Sequence, residues 1–242
     1  MQITGRTDIG SVRSRNEDAF EYGILSDGTA WALVCDGMGG VHGGKVASSA
    51  AIEIVSDKIK KCYNPSMSVS SLENLLLSTI TTANVHVFDR GIYDENLKGM
   101  GTTIVSAIIK NNEACIAHVG DSRAYIISGD KIEQITKDHS LVQQMLDSGQ
   151  ITQTEFEHHP IKNIITRAMG VGEKIDVEFD FVCVNEGDAL LLCTDGLSGM
   201  ISNERILEIY QTTKFDSLAD KYIEEANNNG GNDNITVVVM KG

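Results

Sequence analysis

Proline is almost absent from this chain of 242 residues: only Pro65 and Pro160 occur, and neither lies in a proline-, glycine- or serine-rich stretch. A tether between separately folded units is therefore not expected, and the reading is one domain over 1–242 with internal excursions. No window approaches the ~18 apolar residues of a membrane span, and the first residues hold no apolar segment of signal-peptide length, so a cytoplasmic protein is expected. Positive charge is scarce. Only 20 basic side chains face 34 acidic ones, a net charge of -14, which disfavours nucleic acid and anionic membranes because both require clustered Lys and Arg. The cysteines, Cys35, Cys62, Cys115, Cys183 and Cys193, are odd in number. Four of them stand in strand-like apolar runs, where a reduced thiol packs as a small hydrophobe, so structural thiols are expected.

What is present is globular: 41% apolar and 22% charged residues, in a chain long enough to bury a layered core. Apolar runs predict strands at 2–8, 18–25, 29–35, 102–109, 114–119, 124–128, 131–136, 176–184, 189–194 and 235–240. Turn residues at Asn111-Asn112 and Ser128-Gly129-Asp130 join some of these as antiparallel hairpins. Helical spacing of Val46, Ala47, Ala50, Ala51, Ile54, Val55 and Ile59 marks one helix, and 72–88, 141–148, 203–210 and 217–227 mark others. The polar stretch 149–160 reads as a surface flap. This order does not alternate strand and helix, and no internal repeat is evident, so the class is α+β, with antiparallel sheets and helices packed outside.

Four acidic clusters fall where a strand ends or a turn begins: Asn16-Glu17-Asp18, Asp36-Gly37-Met38-Gly39-Gly40, Thr194-Asp195-Gly196 and Gly231-Asn232-Asp233-Asn234. Each pair is also an ordinary turn former. A carboxylate at a strand end is held rigidly, however, and an adjacent glycine lets the backbone offer a carbonyl or approach a phosphate. Converging carboxylates repel one another unless a cation sits among them. With no Cys or His pair at zinc spacing, an all-oxygen donor set points to Mg²⁺ or Mn²⁺.

At these residues the chain resembles the metal-dependent type 2C protein phosphatases, in particular the compact bacterial members, nearly end to end. The resemblance rests on Arg13-x-x-Asn16-Glu17-Asp18, Asp36-Gly37-Met38-Gly39-Gly40, Gly101-Thr102-Thr103, Gly120-Asp121-Ser122-Arg123-Ala124-Tyr125, Asp138-His139-Ser140, Thr166-Arg167-Ala168-Met169-Gly170, Cys193-Thr194-Asp195-Gly196-Leu197 and Gly231-Asn232-Asp233-Asn234-Ile235-Thr236, in the family's order. It implies a four-layer α-β-β-α sandwich with two central antiparallel sheets and a flap-like insertion at about 141–165. It further implies hydrolysis of phosphoserine and phosphothreonine by a metal-activated water without a covalent intermediate, using two Mn²⁺ or Mg²⁺ ions and a third in some relatives. By position, Asp36 would bridge the two metals, the Gly37 carbonyl would serve one of them, and Asp195 and Asp233 would complete the other. Glu17 and Asp18 would act mainly through waters, Asp121 with Asp195 would form the third site, and Arg13 would grip the substrate phosphate. Phosphorylated proteins, a cognate serine/threonine kinase and a monomeric state follow from the same resemblance. The chain departs from eukaryotic relatives at Met38, where they carry a histidine proposed as general acid, and His42 is the nearby substitute in sequence. Lys45, where relatives often carry an acidic residue, is expected to take a surface or salt-bridge role.

Competing readings fail on particular residues. The spacing 39–45 imitates a phosphate-binding P-loop, but Val46 replaces the Ser or Thr that would hold Mg²⁺. No cysteine has the arginine six residues on that thiol phosphatases need, and no D-x-D-x-D-G calcium loop occurs. The Gly120-Asp121 pair lacks the histidine-bearing partners of metallophosphoesterases. The remaining alternative is a non-catalytic phosphoprotein-binding module of the same fold.

Overall fold

The computed structural model describes every residue except Val41, His158 and Lys162. The first of these falls within the P-loop-like spacing and the other two within the expected flap; all three lie outside the described residues. Two five-stranded antiparallel sheets form the centre. One runs β1 (Gln2–Asp8), β12 (Ile235–Lys241), β11 (Ala189–Cys193), β8 (Arg123–Ser128), β9 (Lys131–Gln134). The other runs β10 (Glu178–Cys183), β7 (Glu113–Val119), β6 (Ile104–Lys110), β3 (Ala30–Cys35), β2 (Ala19–Ile24).

Alternation along each strand builds the layers. In β3 every residue is buried, because both faces are covered: Trp31, Leu33 and Cys35 face the helices α1 (Gly43–Cys62) and α2 (Val69–Tyr93), while Ala30, Ala32 and Val34 face the other sheet. In β12, Val237 and Val239 pack toward α6 (Asn203–Thr212) and α7 (Leu218–Asn228), and Val238 and Met240 fill the space between the sheets. Helix, sheet, sheet and helix thus stack in the four layers the sequence motifs predict. No helix among the described residues is long and apolar enough to cross a membrane.

Three differences from the sequence reading have local causes. The helix expected over 141–148 forms as α3 (Leu141–Asp147), but the polar stretch after it, expected as a flap, holds a second short helix, α4 (Gln153–Glu157). The second starts from a capping box, in which the Thr152 amide donates to Glu155 Oε2 at 2.8 Å and the Glu155 amide donates to Thr152 Oγ1 at 3.3 Å. The Gly101 region pairs first with the acidic loop, as β5 (Gly101–Thr102) against β4 (Gly37–Met38), before continuing into β6. All five cysteines are free, but only Cys35, Cys115 and Cys193 are core thiols. Cys183 is exposed because β10 is an edge strand with one open face, and Cys62 is exposed at the end of α1.

Candidate metal and phosphate site

Strand ends gather the acidic clusters at one end of the sandwich. Asp36 follows β3, Asp121 joins β7 to β8, Glu17 and Asp18 lead into β2, Asp233 leads into β12, and Asp195 opens the one-turn helix α5 (Asp195–Ser198) directly after β11. A cleft of about 630 Å³ is lined by Arg13, Glu17, Asp36, Gly37, Asp121, Asp195 and Asp233, with Met38 among the walls. Asp18 is the one predicted residue that lies behind the wall, only 1% exposed. His42 does not line the cleft; it is exposed at the start of α1, its Nδ1 2.8 Å from Arg15 Nη1. Lys45 is exposed too, and its ammonium donates to the Asp18 carbonyl at 2.7 Å.

The acidic residues are held by a set of hydroxyl and amide side chains. The Asp36 amide donates to Thr103 Oγ1 (2.9 Å), and the Asp36 carbonyl accepts from Thr102 Oγ1 and the Thr103 amide (2.8 Å each). Asp18 Oδ2 accepts from Thr194 Oγ1 (3.0 Å) and Thr236 Oγ1 (2.6 Å). Asn234 accepts from the Glu17 amide (2.8 Å) and donates to the carbonyls of Ile9 and Arg15 (2.9 and 2.8 Å). Glycine is required where elements close on one another: a Cβ on Gly37 would lie 2.2 Å from the Gly44 carbonyl oxygen, and one on Gly196 would lie 1.9 Å from that of Asn234. Of these supports, Thr194 and Thr236 are adjacent to or near a predicted ligand in sequence, but their bonds to Asp18 span 176 and 218 positions, a relation no local pattern reports.

Electrostatically the cleft is overfull of negative charge. Burial pushes the Asp18 carboxyl up to about 7; the two threonine hydroxyls pull against that shift, and Asp195 and Asp233 add to it. Asp121 is pushed up to about 8 by burial and then by Asp195 and Asp138. Asp36 is driven well above the carboxylate range by burial and by repulsion from Asp18, Asp195, Asp121 and Asp233. Glu17 is raised by burial, with Arg13 and Arg15 opposing. Arg13 bonds Asp233 Oδ2 through Nη2 at 2.7 Å. Asp18 Oδ1 is buried with no hydrogen-bond partner among the described residues. Clustered carboxylates raised by mutual repulsion, with an orphaned buried oxygen behind them, fit a hard divalent cation held by oxygen donors.

Sequence reading missed a second polar group, because its members are far apart in the chain. His118 and His139 stack at 4.7 Å between centroids, and Glu178 lies beside them. The Gly120 amide donates to His139 Nδ1 at 3.1 Å, which leaves the ring proton on Nε2, facing Glu178 Oε1 at 3.2 Å. Arg167 Nη1 stands 2.6 Å from the same oxygen. A protonated Nε2 offers no lone pair to a metal, and Arg167 already supplies the cation. The group instead braces Gly120, which precedes Asp121: the Gly120 carbonyl also accepts from the His139 amide at 2.9 Å.

The cleft is thus walled largely by carboxylates at strand ends, and no cysteine is among its described lining residues. Residues 7–238 match the family described as protein phosphatase 2C. The serine/threonine phosphatase stp of Listeria innocua serovar 6a is 38% identical over 242 residues, covering 100% of this chain and 96% of that protein. Among solved structures, the S. agalactiae serine/threonine phosphatase superposes with a TM-score of 0.92 at 34% identity, over 100% of this chain and 99% of that one. The catalytic domain of the serine/threonine protein phosphatase PstP in complex with 2 manganese ions superposes with a TM-score of 0.84 at 33% identity, over 98% of this chain and 96% of that one. The chain belongs to the protein phosphatase 2C family, and it is a protein phosphatase.

Proposed function

We propose that this protein hydrolyses phosphoserine and phosphothreonine in proteins with the help of divalent cations, Mn²⁺ or Mg²⁺, held in the acidic cleft. The observation that carries the reading is the convergence of Glu17, Asp36, Asp121, Asp195 and Asp233 on one cleft with Asp18 behind it. Asp36, the Gly37 carbonyl, Asp195 and Asp233 would hold two core ions, Glu17 and Asp18 would stand outside them, and Asp121 with Asp195 would serve a third. Bound there, the cations supply Lewis acidity that polarises the phosphoryl group and lowers the pKa of water. The manganese in the PstP relative supports this assignment.

The chain's own residues do the rest. Arg13 stands half-exposed at the cleft, its guanidinium already on a carboxylate, and its planar fork suits the oxygens of a phosphate. Thr102 and Thr103 clamp the Asp36 backbone from one side, and Asn234 ties the 9–17 segment to β12 from the other. Such rigidity keeps charged groups preorganised where charge develops in phosphoryl transfer. The segment 141–165 serves as a flap beside the cleft, within a single catalytic domain spanning 1–242. The protein acts as a monomer in the cytoplasm, opposing a cognate serine/threonine kinase. Because each acidic motif residue is retained around the cleft, no observation favours the non-catalytic module. The test is hydrolysis of matched phosphothreonine, phosphoserine and phosphotyrosine peptides with manganese present: the first two are turned over and the third is not. Preferential turnover of phosphotyrosine would refute the assignment.

A further inference from the structure

The cleft does not end at the carboxylates. Asp121, Asn163 and Asp195 are shared with an adjoining groove of about 510 Å³. Its one wall is the flap, through Val142 of α3 and Phe156 of α4; its other wall is the turn from α5 into α6, through Met200 and Ile201. Arg123 and Asp138 also border it, but they neutralise each other, with Arg123 Nη2 2.6 Å from Asp138 Oδ2. The groove in turn shares Glu204, near the start of α6, with a shallower one of about 490 Å³ between α6 and β9. There the charge becomes one-sided: Asp130, Glu133, Glu204 and Glu208 face it, with Lys131 the one basic side chain among the described lining residues. Glu208 is paired with Arg205 at 2.7 Å, whereas Glu204 and Glu133 are exposed and in no ion pair among the described residues.

From this continuous track we infer that the phosphatase binds the polypeptide flanking the phosphorylated residue along one direction, and that the acidic end selects substrates with a basic side chain on that flank. The inference rests on the protein-phosphatase reading above and adds the class of substrate. A phosphorylated side chain in the cleft obliges the chain carrying it to leave across the surface. The adjoining groove is a path continuous with the cleft, with Phe156 and Met200 set in a mostly polar wall beside the first flanking side chains and carboxylates beyond for a lysine or arginine. Opposite charges across such a surface set register and preference more than raw affinity. An exposed pair of this kind supports about a two- to fivefold preference, weakening as salt screens it.

The test is an arginine and glutamate scan through the positions on either side of phosphothreonine in a peptide with an otherwise neutral sequence. The wild-type protein is assayed with manganese, beside p-nitrophenyl phosphate. The quantity read is the ratio of kcat/KM for the arginine peptide to that for the glutamate peptide, taken within each variant so that overall activity cancels. We expect a ratio of about two to five or more on one flank only, lowered toward one in Glu204→Gln and inverted or abolished in Glu204→Lys. Glu133→Lys, on the β9 side, should move the ratio the same way. A wild-type ratio near one at every position, an equal ratio on both flanks, or a ratio that Glu204→Lys leaves unchanged would overturn the groove assignment. No turnover of any of these compounds would instead strike the phosphatase reading itself, and the groove with it.

Discussion

Replacing Asp18 by Asn should stabilise the metal-free protein while weakening its response to metal. In the metal-free protein burial holds the Asp18 carboxyl at about 7, against 3.8 for the free group. At 1.36 kcal/mol per pKa unit this gap is worth about 4 kcal/mol. The sign follows from the direction: a carboxyl raised on folding contributes stability that is full below 3.8 and is lost as pH rises through about 7. At pH 8 the folded wild-type protein therefore carries an ionised, buried carboxylate, and one of its oxygens has no partner among the described residues. Asparagine removes the charge and keeps an oxygen for the hydroxyls of Thr194 and Thr236. The ceiling of the gain at pH 8 is about 4 kcal/mol, or roughly 8 °C in Tm for a chain of this length; by pH 5 it falls below about 2 kcal/mol. Saturating manganese should reverse the order, because the wild type recovers the deficit by binding the ion and the variant binds it more weakly. Thermal melts of both proteins at pH 5 and 8, with chelator and with manganese, read all of this directly. A metal-free variant less stable than the wild type at pH 8 would refute the account of Asp18 as an uncompensated charge.

Other perturbations test the rest of the site. Arg13→Ala should lower kcat/KM for p-nitrophenyl phosphate about tenfold, chiefly through KM, if the guanidinium binds phosphate in ground and transition states alike; a loss confined to kcat would assign it to the transition state alone. Gly196→Ala forces a Cβ to within 1.9 Å of the Asn234 carbonyl oxygen, a backbone atom that cannot swing away. It should cost about 3 kcal/mol in urea denaturation and reduce turnover, since Asn234 also holds Glu17 and the 9–15 segment. Unchanged stability would show that this contact is readily relieved.

The layers of the fold were legible because buried strands write themselves as apolar runs and the hairpin turns have a chemistry of their own. Asn111 and Asn112 both adopt positive φ, 51° and 64°, in the two-residue turn between Lys110 and Glu113, the conformation that asparagine tolerates best after glycine. The acidic motifs were legible through their glycines, and the fold brings Glu17, Asp36, Asp121, Asp195 and Asp233 to one cleft. Other features carry no periodic signal. A ladder of two residues, Gly37–Met38 on Gly101–Thr102, is too short for alternation to mark. The helix α4 starts from the capping pair Thr152 and Glu155, set within a stretch whose polarity otherwise reads as loop. The burial of Asp18 and the meeting of His118 with His139 arise from tertiary contacts between distant segments.

The proposed dependence of turnover on divalent cations held by the clustered carboxylates is open to measurement. Its most direct test is a manganese titration of phosphothreonine-peptide hydrolysis by the wild type and by Asp36→Asn, after exhaustive chelation and with bound metal quantified at each point. The account predicts no turnover without metal, saturable recovery in the wild type as metal binds, and neither full binding nor recovery in Asp36→Asn. Turnover that survives chelation, or a near-normal rate in Asp36→Asn, would contradict it.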